Sequence, residues 1–193
     1  MITSKKELNK LIKSDLFRYI GKDDNLSFYK AYFTIPGFKF SYYLRKSSYY
    51  NKHSLKGVIF RCLLLKYQFK YGFQITPNTQ IGKGFYIGHF GNIIINSKAQ
   101  IGKNVNISPG VVIGMANRGK LKGYPKLGNQ IWIGANAIII GNITIGNNVL
   151  IAPGSYINFN VPDNSIVLGN PGKIIPKESP TSDYINNIVS EEY

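Results

Sequence analysis

The chain has 193 residues, with 24 Lys and Arg against 9 Asp and Glu, a formal net charge of +15. That length suits one domain, or a small one fused to another. The single cysteine, Cys62, excludes an intrachain disulfide and a thiolate metal cluster. No apolar run reaches the length of a membrane span, and the first twenty residues lack the apolar stretch of a secretory signal, so a cytoplasmic chain is expected.

The charge is local. Residues 1–72 hold 15 basic and 4 acidic residues, while 73–193 hold 9 and 5. The first segment also reads as helical. Leu8, Leu11, Ile12, Leu16 and Ile20 recur at three- and four-residue spacings after Thr3 or Ser4, which predicts a capped amphipathic helix over 3–20. Further helices are expected over 26–34 and 38–50, separated by a break at Pro36-Gly37, and over 55–71, closed by Gly72. Val58, Ile59, Leu63 and Leu64 beside Arg61, Lys66 and Lys70 have the make-up of an interfacial helix. Residues 1–72 are thus expected either to cap the rest of the chain or to make peripheral contact with the inner face of a membrane.

From Ile75 onward an aliphatic residue recurs every six positions: Ile75, Ile81, Ile87; Ile95, Ile101, Ile107, Ile113; Leu127, Ile133, Ile139, Ile145, Ile151, Ile157. Neither a helix nor an alternating strand has that period. The position four residues later is usually small or β-branched, as in IGKNVN, IGANAI and IGNNVL. This is a hexapeptide repeat and predicts a parallel β-helix of about four coils over 73–177. Two insertions interrupt it: two extra residues around Asn92–Ile94, and eight between Ile113 and Leu127. The second makes a mobile basic loop carrying Arg118, Lys120, Lys122 and Lys126. A polar tail over 178–193 is expected to pack loosely or not at all.

Of the two histidines, His53 reads as a surface residue. His89, in IGHFGN, comes two residues after the inward Ile87 and is flanked by Gly88 and Gly91, which leave its imidazole uncovered. An imidazole in that setting takes a hydroxyl proton and returns it to a leaving group.

The block from Ile75 to Ile175 resembles the hexapeptide-repeat acyltransferases, within them the serine acetyltransferase branch. The residues that carry it are IGKGFYIGH, GYPKLG, IWIGANAIIIGNITIG, IAPGSYINFNVP and GNPGKII. The resemblance implies a mainly β fold, a left-handed parallel β-helix behind an N-terminal α-helical region, and a homotrimer. It implies His89 as catalytic base and acetyl-CoA as co-substrate, with no metal. The pantetheine arm would run past Gly134, Ala135, Ala152 and Ser155, and the nucleotide end would lie near Gly172 and Lys173. A zinc hydratase on the same fold, resembling a site of three histidines, is incompatible with two histidines 36 residues apart. The charge comes without a recognised nucleic-acid-binding motif, so no nucleic-acid partner is expected.

The sequence also departs from that branch. Fifteen residues before the histidine the branch has an aspartate that orients the ring, and this chain has Gln74. Immediately before the histidine it has another aspartate, here Gly88; before Pro-Lys in the loop it has a histidine, here Tyr124. Gln74 is retained as the candidate orienting group, and Arg118, Lys120, Lys122 and Tyr124 as the acceptor-binding set. With two groups that meet free serine gone, the expectation is O-acetylation of a sugar or glycan hydroxyl in capsule or exopolysaccharide synthesis. The alternative is a serine or other small-molecule acetyltransferase.

Overall fold

The computed structural model describes residues 2–190, so Met1 and the last three residues of the expected tail lie outside the described residues. Four helices precede the solenoid. Ser4 caps α1 (Lys5–Ile20) by accepting a hydrogen bond from Glu7 N at 3.1 Å, and Asp24 caps α2 (Asn25–Thr34) by accepting from Ser27 N at 2.9 Å. The expected break between the two helices falls at Ile35, one residue before Pro36-Gly37, and Pro36 takes the first turn of α3 (Pro36–Tyr49), where a missing N–H costs nothing. Ser54 opens α4 (Leu55–Tyr71), and Gly72, at φ 77°, closes it. No helix among the described residues is long and apolar enough to cross a membrane.

Each aliphatic hexad position then becomes a rung of a three-faced parallel β-helix. Face A stacks β1 (Phe73–Ile75), β4 (Ile93–Ile95), β7 (Val112–Gly114), β10 (Ile138–Ile140) and β13 (Tyr156–Ile157). Face B stacks β2 (Gln80–Ile81), β5 (Gln100–Ile101), β8 (Lys126–Leu127) and β11 (Thr144–Ile145). Face C stacks β3 (Tyr86–Ile87), β6 (Asn106–Ile107), β9 (Ile131–Ile133), β12 (Val149–Ile151) and β14 (Ser165–Leu168), with β15 (Lys173–Pro176) added antiparallel at its end. The register pairs Ile75 with Ile95, Ile95 with Ile113 and Ile113 with Ile139, so the rungs line up in the core. The repeat runs further than expected. Val161, only four residues after Ile157, bridges to Ile145, and Val167 pairs with Ile151, which completes the fifth coil that Ile157 begins.

The outward residues differ by face. Face A presents Ile94, Val112, Ile138 and Tyr156, half-buried; face B presents exposed Gln80, Gln100, Lys126 and Thr144. Face C presents Tyr86, Asn106, Trp132, Leu150 and Ile166, and the tail covers part of it. This corrects the expectation of a loose tail. Thr181, Ile185 and Val189 are buried, and Asn104 exchanges two 3.0 Å hydrogen bonds with the backbone of Val189. Gln130 donates to the Thr181 hydroxyl at 3.0 Å, Asn106 Nδ2 donates to Tyr184 O at 3.2 Å, and Tyr184 packs on Trp132 with ring centroids 4.8 Å apart.

A solenoid's first coil has no neighbour above it, and its backbone polar groups need partners. The helices provide them through polar side chains, beside an apolar contact in which Phe40, Leu44 and Leu64 join the core of the coil. Arg45 donates to Ile81 O and Gly82 O, both at 2.6 Å; Arg18 donates to Gly84 O at 3.1 Å; and Ser14 accepts from Gly84 N at 3.2 Å. Asp15 accepts from Phe85 N at 2.9 Å and holds Arg45 in a buried two-pronged ion pair, 2.9 and 3.1 Å. Of the stripe expected to pack on this end, Leu64 is buried and Leu63 partly so, whereas Val58 and Ile59 are exposed.

Asp15→Ala strands the Arg45 guanidinium in a buried site and frees Phe85 N. Urea unfolding should show a loss of about 3–5 kcal/mol. Removing the exposed Lys13–Asp23 pair should change stability by no more than about 1 kcal/mol.

Candidate active site

β3 ends at Ile87, and the chain turns from face C to face A through Gly88, His89, Phe90 and Gly91. The two extra residues widen this turn. They do not fall in Asn92–Ile94 as expected, because Ile93–Ile95 is β4 itself. His89 is exposed, and among the described residues its imidazole has no hydrogen-bond partner. Its position is set from behind by Tyr19, whose hydroxyl accepts from Ile87 N at 2.9 Å and donates to Ile87 O at 3.3 Å. Burial pushes the Tyr19 phenol well above its ordinary range, so it keeps the proton it donates.

Below His89 the same corner repeats once per coil and is made of small residues. Gly110 N donates to Asn92 O at 2.6 Å, Asn136 N to Pro109 O at 2.9 Å, and Gly154 N to Ala135 O at 2.8 Å. These bonds stack Ser108–Gly110, Gly134–Asn136 and Ala152–Gly154 into one column. A Cβ on Gly134 would sit 2.6 Å from Pro153 N, so no larger residue fits. Gly172 and Lys173 come after the Gly169 turn at the foot of the column, Gly172 N donating to Tyr156 O at 3.0 Å. Four of the six residues expected along the coenzyme, Gly134, Ala135, Ala152 and Gly172, thus share the His89 edge, with Lys173 exposed beside them. Ser155 differs. It is fully buried, accepting from Gly169 N and donating to Val167 O, both at 3.2 Å, and so shapes the corner from inside.

A cleft of about 320 Å³ opens beside His89, walled by Arg18, Tyr19, Tyr86, Ser108, Trp132 and Tyr184. Arg18 is buried with neutral acceptors: Nε donates to Asn186 O at 3.0 Å, Nη1 to Gly84 O, and Nη2 to Asn106 Oδ1 at 2.6 Å. Burial lowers its pKa to about 10, still far above neutrality, so the cleft has a cationic wall. A larger groove of about 870 Å³ lies between α1, α3 and face B. It holds neither histidine, and its one buried cation, Arg45, is already matched by Asp15, so the smaller cleft is the candidate site.

The remaining expected residues lie elsewhere. Gln74 is exposed on face A in register with Ile94, and among the described residues its amide does not reach His89. The basic loop joins face A to face B, one corner away from His89, and is pinned by paired hydrogen bonds between Ala116 and Gly123 (3.1 and 3.0 Å). Arg118, Lys120 and Lys122 are exposed on it, while Tyr124 is half-buried with Lys98 Nζ 5.1 Å from its ring centroid. Within one chain the loop therefore does not line the His89 cleft. His53 lies on the surface, as expected. Sequence reasoning missed Arg18, Tyr19, Trp132 and Tyr184. The available signal was Asp15, a carboxylate on the apolar side of α1, three residues after Ile12 and seven after Leu8.

The bacterial transferase hexapeptide (six repeats) pattern matches residues 124–158. A serine acetyltransferase of Helicobacter pylori is 32% identical over 120 residues, covering 62% of this chain and 70% of that protein. The serine acetyltransferase of Brucella abortus strain S19 solved with coenzyme A superposes with a TM-score of 0.76 at 26% identity, over 90% of this chain and 70% of that one. The Neisseria gonorrhoeae serine acetyltransferase solved with serine gives 0.71 at 29% identity, over 89% and 70%. This chain spans between about a third and somewhat more than half the length of other curated relatives it matches.

These relatives overturn the expectation of a sugar acceptor, since they are named for a small amino acid. Within one chain Tyr124, expected in the acceptor-binding set, has Lys98 over its ring and stands at another corner.

Tyr19→Phe removes the clamp on Ile87 and leaves its buried N–H without a partner. Stability should fall by about 1–3 kcal/mol. Hydrogen exchange at Ile87 and Gly88 should rise ahead of the rest of face C.

Proposed function

This chain belongs to the serine acetyltransferase family of hexapeptide-repeat transferases, and we propose that it transfers acetyl from acetyl-CoA to the hydroxyl of a small acceptor of the serine class. The observation that carries this reading is the uncovered imidazole of His89 at the head of a column of small-residue corners. Four coils, at about 4.8 Å each, put the Gly169–Lys173 turn on the order of 20 Å from His89, a span that suits an extended thioester arm with its phosphates beside Lys173. In the reaction, His89 takes the acceptor's hydroxyl proton as the oxygen attacks the thioester carbonyl. The C–S bond of the tetrahedral intermediate then breaks, and the imidazolium returns the proton to the departing sulfur. Arg18 offers positive charge to an acceptor carboxylate, in a cleft where a mismatched charge would be costly.

The same reading includes a homotrimer with shared sites. Face A is outwardly apolar at Ile94, Val112 and Ile138, whereas face B is polar and face C is part-covered by the tail. His89 borders one edge of face A, and the basic loop borders the other. A threefold arrangement through face A brings the loop of one subunit, with Arg118, Lys120 and Lys122, toward His89 of the next.

Three measurements test this. Release of free CoA thiol from acetyl-CoA should require a hydroxy amino acid acceptor; no release with serine or its small analogues would sink the acceptor class. His89→Ala should lower turnover by roughly 10²–10⁴-fold with coenzyme binding retained. Val112→Glu should dissociate the trimer and abolish turnover together, measured by light scattering and the same assay; an active monomer would contradict the shared site.

A further inference from the structure

The helical cap buries only one side of α4. Leu64 enters the core and Phe60, Leu63, Tyr67 and Tyr71 lean against it, while Leu55, Val58, Ile59, Leu65 and Phe69 point away into solvent. With Cys62, also exposed, those positions recur at three- and four-residue intervals and so form one stripe along the helix. Leu55 is 78% exposed and Phe69 82%. On α2, Leu26 (81%) and Phe33 (71%) extend the pattern with Tyr29. Lys39 of α3 lies between the two helices, its Nζ 5.6 Å from the Phe33 ring centroid and 5.7 Å from that of Tyr67. A set of exposed large apolar side chains this extensive marks an interaction surface.

Charge selects the occupant. From Asn25 to Pro162 the chain contains no aspartate or glutamate, and Lys30, Lys56, Lys66 and Lys70 stand exposed around the two stripes. A second copy docking here would set these lysines against one another, the carboxylates of Asp23 and Asp24 lying only at the start of α2 beside Leu26. Nucleic acid would meet the lysines but offers no apolar medium for leucine and isoleucine. An anionic bilayer meets both demands, with phosphates for the lysines and the acyl boundary for Leu26, Phe33, Leu55 and Phe69. We propose that the outer face of α2 and α4 docks this protein on anionic lipid bilayers. The inference is independent of the acetyl-transfer reading.

The test is co-sedimentation of the full chain with phosphatidylcholine vesicles, with and without phosphatidylglycerol. Binding should require phosphatidylglycerol and should weaken as ionic strength rises. Lys66→Gln and Lys70→Gln should each lower partitioning about fivefold. Leu55→Ser with Phe69→Ser should lower it at least as much with an unchanged unfolding midpoint, because both side chains are exposed. Absence of binding at low salt, equal binding to neutral vesicles, or binding indifferent to these substitutions would overturn the proposal. So would sedimentation velocity in which Leu55→Ser with Phe69→Ser splits a larger assembly, since a second copy would then be the occupant.

Discussion

A hexapeptide solenoid stacks its own rungs without help but cannot finish its first coil. The upper edge of β2 and β3 offers carbonyls and amides that would otherwise face nothing, and the organisation of the N-terminal region arises from meeting them. α1 lies with Ser14, Asp15, Arg18 and Tyr19 facing this edge, and α3 contributes Arg45. The Asp15–Arg45 pair is buried, and such pairs are often close to neutral for stability because desolvation offsets attraction. Its role here is directional. With four of its hydrogen bonds committed to Asp15, Ile81 and Gly82, Arg45 fixes how the helices sit on the coil.

Function inherits that arrangement. Tyr19 and Arg18 lie one turn beyond Asp15 on the same helix, and they reach the strand immediately before His89 and the wall of its cleft. The tail returns from the far end of the prism and places Tyr184 against Trp132 on the opposite wall. A residue near the start of the chain, the middle of the repeat and the tail thus converge on one corner, while the hexads themselves supply only the flat column beneath it. The repeat makes the column, and the non-repeating segments wall the cleft beside His89.

This division explains what was legible in the sequence. The thirteen rungs from Ile75 to Ile157 all face the core, because period six is imposed by the geometry of the coil and leaves a direct trace. The four helices were readable from spacing and caps, though the break between α2 and α3 falls at Ile35, one residue before Pro36-Gly37. His89 stood out because glycines flank it and two extra residues widen its turn. The walls of the cleft did not stand out. Arg18, Trp132 and Tyr184 come together through long-range packing that no local period encodes, and the shortened spacing to Val161 hid the rest of the final coil. The acceptor was misread for a related reason. The substitutions at Gln74, Gly88 and Tyr124 were weighed as losses, without sight of the cationic wall that Arg18 provides.

The central claim is that the site is completed between subunits, His89 from one chain and the basic loop from its neighbour. Its most direct test is complementation between two variants. His89→Ala subunits and subunits carrying Arg118→Ala, Lys120→Ala and Lys122→Ala together should each be inactive alone. Unfolded together and refolded as mixed trimers at equal ratio, they should recover about a quarter of wild-type turnover, the share of interfaces that pair an intact histidine with an intact loop. No recovery on mixing, or a loop variant as active as the parent, would contradict the account.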